Sequence, residues 1–321
     1  MEKIESRVTE QSVTAARKII DEVKNAVKGK DEIIERVLLA ILSRGHILLE
    51  DIPGVGKTTL AIAFSKAMQL DYNRVQFTPD VMPSDVTGFS MYKKSTDSFE
   101  FVKGAVLCNL FLADEINRTS SKTQSALLEV MEEGRVTVDL KTYETPKPFT
   151  VIATQNPIGY AGTQMLPESQ LDRFIVRLSM GYPDANSELQ ILKSKGNSTE
   201  NNEVNAVVSS NDIIKMQEEV DDIFVHDSIY AYIISLVEKT RQHELIELGA
   251  SPRGTIALMR MAKAKAFMSK RDYVIPADVQ YVMECTLVHR LVLKPKAKIS
   301  NTTSNAIIEA IRLSTATPKL S

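Results

Sequence analysis

Glu50-Asp51-Ile52-Pro53-Gly54-Val55-Gly56-Lys57-Thr58-Thr59 follows the apolar run 46–49 and leads into a helical pattern. A strand that ends in a glycine-rich turn and then enters a helix turns its backbone N–H groups toward an anion, because glycines permit the inward conformation. In such a loop Lys57 reaches the outer phosphates of a polyphosphate and the Thr58 hydroxyl binds magnesium, while Gly54, Val55, Gly56 and Thr59 complete the cradle. Asp51 stands where the Gly-x-x-x-x-Gly-Lys-Thr pattern has its first glycine. An ordinary glycine-rich turn before a helix would read the same way in isolation, so the flanking sequence has to decide.

Four further apolar runs, 75–77, 110–113, 149–153 and 174–178, alternate with helical patterns up to residue 178. That rhythm predicts an α/β domain with a mainly parallel sheet. The runs are nearly all apolar rather than alternating, as expected of strands covered on both faces. Run 110–113 delivers two adjacent carboxylates, Asp114 and Glu115, whose burial without cations would be costly. Asp114 suits a magnesium ion and its water shell, and Glu115 suits polarising an attacking water. A solvated turn is the commoner origin of an isolated Asp-Glu pair. Run 149–153 ends in Thr154-Gln155-Asn156, where the Asn156 amide could orient that water. Asn before Pro is also a frequent turn former, and only its place after Asp114 and Glu115 gives it weight.

After Gly181-Tyr182-Pro183 the pattern becomes helical alone, which predicts a core over 1–182 and a second domain over 183–321. Ile229, Tyr232, Ile233, Leu236 and Val237 form one helical stripe. Val279, Val282, Met283, Thr286 and Leu287 form another, behind a Pro276 suited to a first helical turn. Residues 194–202 read as a surface loop, and Ala306, Ile307, Ala310 and Ile311 as a last amphipathic helix. The acidic group Glu218, Glu219, Asp221 and Asp222 reads as a solvated helix end.

With 39 basic against 41 acidic side chains the net charge is -2, so no basic surplus invites nucleic acid and a protein partner is expected. Residues 1–24 contain no apolar stretch of the signal-peptide kind, and the run 37–42 is far short of the ~20 residues a spanning helix needs. A cytoplasmic protein without a membrane span is the expectation. Cys108 and Cys285 are expected as buried thiols, and His46, His226, His243 and His289 as structural residues without metal-ligand spacing.

At this point the sequence resembles the MoxR family of AAA+ ATPases, over about residues 27–293. The resemblance is carried by QFTPDVMPSDVTG (76–88), LADEINRTSSKTQSALLEVM (112–131), ATQNP (153–157), LPESQLDRF (166–174) and LGASPRG (248–254). It implies a P-loop core with a parallel five-stranded sheet flanked by helices, followed by an all-helical lid. It also implies a hexameric ring with ATP and Mg2+ at subunit junctions. By the same resemblance Asn156 is the sensor-1 residue, Arg173 the arginine finger and Arg253 the sensor-2 residue, with Arg118 and Arg177 weaker candidates. Residues 76–103 would hold an insertion, and 136–149 a hairpin, both facing a partner.

Family members of this kind act as chaperone-like factors that mature protein complexes, often beside a von Willebrand factor A domain protein. This chain has no Asp-x-Ser-x-Ser site, so such a companion would be a separate molecule. Two departures stand out: Lys30 replaces the family's Gln in Val27-Lys28-Gly29-Lys30, and Gly104 is followed by Ala105 where Gly-Pro is usual. Two other functions compete. A nucleic-acid motor is disfavoured by the neutral charge, and a nucleotide-gated scaffold by the full set of water-activating residues.

Overall fold

The computed structural model describes residues 8–156, 166–196 and 203–319. The chain opens with α1 (Glu10–Ala26), whose first turn is capped by the Thr9 hydroxyl accepting from the Ser12 N–H. In α2 (Asp31–Leu42) the acidic first turn suits the helix dipole, and the six residues from Val37 onward are all buried. Then come β1 (Ile47–Glu50), α3 (Lys57–Ala67), β2 (Tyr72–Gln76), the short helix α4 (Pro83–Thr87), and the hairpin β3 (Gly88–Lys93) and β4 (Ser98–Lys103). Next are β5 (Leu110–Asp114), α5 (Ser121–Glu133), a second hairpin of β6 (Arg135–Val138) and β7 (Lys141–Glu144), then β8 (Thr150–Gln155), α6 (Glu168–Leu171) and β9 (Val176–Leu178).

The main sheet is parallel, in the order β2-β5-β8-β1-β9. Every residue of β5 and β8 is buried, which is why their sequences show no polar alternation. The alternation appears instead as a choice between two cores: Ile47, Leu49, Leu110 and Leu112 face one, and Leu48, Phe111 and Ala113 face the other. His46, just before β1, is buried and ties three elements together. Its Nε2 pairs with the Met131 carbonyl of α5 at 2.9 Å, and its Nδ1 accepts from the Val151 N–H of β8 at 3.0 Å. The two hairpins meet through stacked Phe101 and Tyr143 rings, 3.9 Å between centroids.

The remainder comprises α7 (Ala185–Gly196), α8 (Ser210–Asp221), α9 (Asp227–Gln242), β10 (Ile246–Leu248), α10 (Pro252–Met268), α11 (Pro276–Leu287), β11 (Val292–Leu293), α12 (Pro295–Ile299) and α13 (Ser304–Ser314). It is helical as expected, with one addition, a small antiparallel ribbon of β10 and β11. Both sequence stripes are buried faces, of α9 and α11. In α13 the buried residues are Ile307, Ile308 and Ile311, whereas Ala306 and Ala310 point to solvent, because the larger side chains gain more from burial. Residues 197–202 of the expected loop lie outside the described residues, and 194–196 finish α7. Glu219 is not solvated: it accepts from the Thr9 N–H at 3.0 Å and the Ser12 hydroxyl at 2.7 Å, anchoring α1. Among the described residues no helix is long and apolar enough to cross a membrane.

Candidate active site

Parallel strands end at a common edge, so the segments following β1, β5 and β8 converge there. After β1, Gly54 and Gly56 adopt φ +86° and +96°, a left-handed backbone that side chains resist. A Cβ on Gly54 would meet nothing within 4 Å, so this glycine serves the turn of the loop and leaves open space above it. Gly56 caps α3, whose first three residues are Lys57, Thr58 and Thr59. Lys57 is buried, and its ammonium donates to the backbone oxygens of Asp51 at 2.6 Å and Ile52 at 3.2 Å. Burial lowers its pKa, against the pull of the Asp51, Asp114 and Glu115 carboxylates.

Asp114 ends β5 with its carboxylate shared. Oδ1 accepts from the Thr154 hydroxyl at 2.6 Å, and Oδ2 from the Arg74 guanidinium at 2.7 and 3.2 Å. Thr154 in turn accepts from the Glu115 N–H at 2.8 Å, so one buried hydroxyl fixes both members of the carboxylate pair. Glu115 sits at φ +57°, a conformation that turns its side chain out of the strand. Its carboxylate accepts from Arg118 at 2.7 Å and from the Asn156 amide at 3.0 Å. Partial burial raises the Glu115 pKa, but the bonds from Arg118 and Asn156, the Arg118 charge and the Gln76 amide outweigh it and hold the group below its usual value. Glu115 is therefore an anion throughout the neutral range.

Arg74 and Thr154 were missed as site residues. Their signal was strand register: Arg74 lies opposite Leu112, on the same face of β5 as Asp114, and Thr154 follows the Ala153 that lies opposite Ala113, so both side chains reach Asp114.

Arg173 and Arg253 lie together elsewhere. Arg173 donates to Glu132 Oε2 at 3.1 Å, and Arg253 pairs with Oε1 of the same carboxylate. Glu132 stands in the last turn of α5 and Arg253 in the first turn of α10, each unfavourable to its own helix dipole and each offset by the other. They border a cavity of about 360 Å³ with Arg44, Arg173, Arg260 and Arg290, where Glu132 and Asp172 are the lining carboxylates. No P-loop residue lines it. Asp172 fixes this arrangement by accepting from the Ser251 hydroxyl that caps α10, at 2.7 Å, and from the buried Arg290 at 2.8 Å. Arg290 also donates to the carbonyls of Phe174 and Ile175. Arg177 stands 3.6 Å from Glu50, apart from this pair.

Comparison with known proteins bears on this geometry. Residues 46–176 match the ATPase family associated with various cellular activities (AAA), and residues 238–311 match the AAA lid domain. The chain is 37% identical to Chaperone MoxR1 of Mycobacterium tuberculosis, over 96% of this chain and 84% of that protein. The chain belongs to the MoxR family of AAA+ ATPases. Protein MoxR of Methylorubrum extorquens is 30% identical over 88% of each chain, and YeaC of Bacillus subtilis, uncharacterised in function, is 50% identical over 92% of each. A crystal structure from Cytophaga hutchinsonii, described as a candidate ATPase, superposes with a TM-score of 0.90 at 40% identity, covering 96% of both chains.

The MoxR core is thus an ATPase, and its residues fit the substrate. The loop offers open space above Gly54 and a lysine whose partners are two loop carbonyls. Thr58 and Asp114 supply the hard oxygen donors that magnesium requires.

Proposed function

We propose that this MoxR protein is a magnesium-dependent, ring-forming ATPase of the cytoplasm that remodels or matures protein complexes, with each site completed by a neighbouring subunit. The proposed division is a core over 1–182 and a lid over 183–321. The observation that carries the reading is the segregation of two half-sites. Lys57, Asp114, Glu115 and Asn156 gather at the P-loop edge, while Arg173 and Arg253 face a separate cavity rich in arginine. Arg173 is part-exposed and shares the single Glu132 carboxylate with Arg253, which fits a guanidinium that an external anion could still engage.

In this reading Gly54, Val55, Gly56, Lys57, Thr58 and Thr59 hold the phosphates, and Thr58 and Asp114 hold magnesium. Magnesium held there would neutralise charge on the transferred phosphoryl group. Glu115 polarises the water and Asn156 orients it through their shared hydrogen bond. Arg173 from the neighbour stabilises charge in the transition state. Arg253, which the family pattern assigns to sensing nucleotide, joins Arg173 in serving the neighbour's site, because Glu132 holds the two together. Six subunits form the proposed ring.

Exposed Phe89, Met91, Tyr92 and Phe99 on the β3–β4 hairpin and Leu140 on the β6–β7 turn offer apolar contacts. These, with the net charge of -2, support a protein client over nucleic acid. A von Willebrand factor A domain protein is the companion that the family resemblance suggests.

Subunit mixing tests the shared site. Arg173→Ala and Lys57→Ala should each release little phosphate alone. A random equimolar mixture should regain activity at the junctions that pair an intact P-loop with an intact arginine, about a quarter of all junctions in a closed ring. A mixture as inactive as its parents, once subunit exchange is confirmed, would place Arg173 in its own subunit's structure instead.

A further inference from the structure

Two positions at which the sequence departs from the consensus, Asp51 and Lys30, close on the same short segment. Residues 179–183 lead from the end of β9 toward α7 and so form the covalent connection between core and lid. From one side the Asp51 carboxylate accepts from the backbone N–H groups of Met180 and of Gly181, the latter at 2.7 Å, and from the Ser179 hydroxyl at 3.1 Å. From the other side the Lys30 ammonium donates to the Tyr182 carbonyl at 2.9 Å.

Consecutive N–H groups converging on one oxygen form an anion-binding nest, and the φ of +60° at Gly181 shapes it. Here the anion is a buried side chain of the P-loop itself. A glycine at position 51 could not make these bonds.

Asp51 is bifunctional. Its backbone oxygen holds the Lys57 ammonium, and its side chain holds the connector. Packing follows the same route: the Met180 methyl lies 3.8 Å from the point where a Cβ on Gly56 would stand. A Cβ on Gly29, one residue before Lys30, would collide with Ser187 in the first turn of α7. The connector is thus pressed between the P-loop and the α1–α2 turn.

When Lys57 turns to a triphosphate it must leave the Asp51 and Ile52 carbonyls. Any resulting shift of the Asp51 backbone is passed to the connector through short charge-assisted hydrogen bonds.

We propose that Asp51 and Lys30 are positioning residues that couple occupancy of the P-loop to the angle of the lid, by gripping residues 179–183 from both sides. This device goes beyond the hydrolytic reading and can be read without turnover. Cys108 and Cys285 are buried, so Lys122→Cys and Glu238→Cys, both at exposed sites, allow selective dye labelling of core and lid in the full chain. A non-hydrolysable ATP analogue should then change energy transfer between the dyes.

Asp51→Gly, which restores the consensus glycine, and Lys30→Gln, which restores the family's residue, should bind the analogue within about threefold of the parent. Each should lose at least half of the energy-transfer change, and the double variant all of it. A parent without a response, or variants with an undiminished one, would overturn the proposal, and so would a change in melting temperature alone. Should Asp51→Gly fail to fold, Lys30→Gln, at a half-buried site, decides by the same criterion. Because no hydrolysis is read, failure here is distinct from failure of the shared-site reading, which the subunit mixture reports.

Discussion

At the P-loop edge each carboxylate is matched within its own core: Asp114 by Thr154 and Arg74, Glu115 by Arg118 and Asn156. On the α5–α10 face two arginines from different domains share the single carboxylate of Glu132, in a cavity where positive side chains outnumber negative ones. The first region is electrostatically self-contained, and the second is left with a surplus of donors. Like charges held close together are costly unless an anion arrives, so the imbalance is what the proposed role of the second region as half of an interface would require.

The sharpest way to break this contrast is to remove one group from each side. Arg173→Ala should lower kcat by about 10³- to 10⁵-fold, the range of an arginine finger, and Glu115→Gln by about 10²- to 10⁴-fold as expected for a lost general base. Both should leave ATP affinity nearly unchanged in equilibrium binding, with phosphate release as the readout. A loss below tenfold in Arg173→Ala would make the arginine face structural and dissolve the distinction.

His46 joins the two regions, since it bonds Met131, next to Glu132, and Val151 of β8, the strand that leads to Asn156. Burial drives its pKa down to about 4, against the pull of the Met131 carbonyl, so the fold favours the neutral ring. The sign follows: stability is complete above about pH 6.5 and is lost as the pH falls toward 4, by on the order of 3 kcal/mol. Urea unfolding at pH 7 and pH 4.5 should show the loss, and His46→Gln should reduce it. An unchanged pH dependence in that variant would assign the acid sensitivity to other groups.

The smallest expected effect concerns Arg74, which occupies the Asp114 oxygen that a metal would use. Arg74→Ala should lower the magnesium concentration for half-maximal activity by about two- to fivefold, because the Arg74 end of this part-buried pair is screened by solvent and opposes metal binding only modestly. A higher magnesium requirement would show instead that Arg74 holds Asp114 in a useful pose.

Much of this arrangement was legible in the sequence, for physical reasons. Strands buried on both faces write continuous apolar runs, and parallel strands bring their ends together. Lys57, Asp114, Glu115 and Asn156 could therefore be placed at one edge without coordinates. What stayed hidden depends on neighbours across the fold. Arg74 and Thr154 gain meaning only from strand register. Arg173 and Arg253 meet through Glu132, which lies in a third element and which no local pattern singles out. Glu219 looked like one more solvated acid until α1 docked on it. Asp51 and Lys30 could be seen to depart from the pattern, but the connector that they grip could not.

The buried Arg290 has a mechanical consequence. Its bonds to Asp172 and to the carbonyls of Phe174 and Ile175 join the lid to the core, and removing the Asp172 carboxylate would leave a buried guanidinium without its counter-ion, at a cost of about 3–5 kcal/mol. Lifting the lid away along this seam is therefore expensive, whereas rotation about it keeps the bonds made. A seam held in this way would serve as a pivot, so that a displacement applied at residues 179–183 would swing the lid rather than detach it.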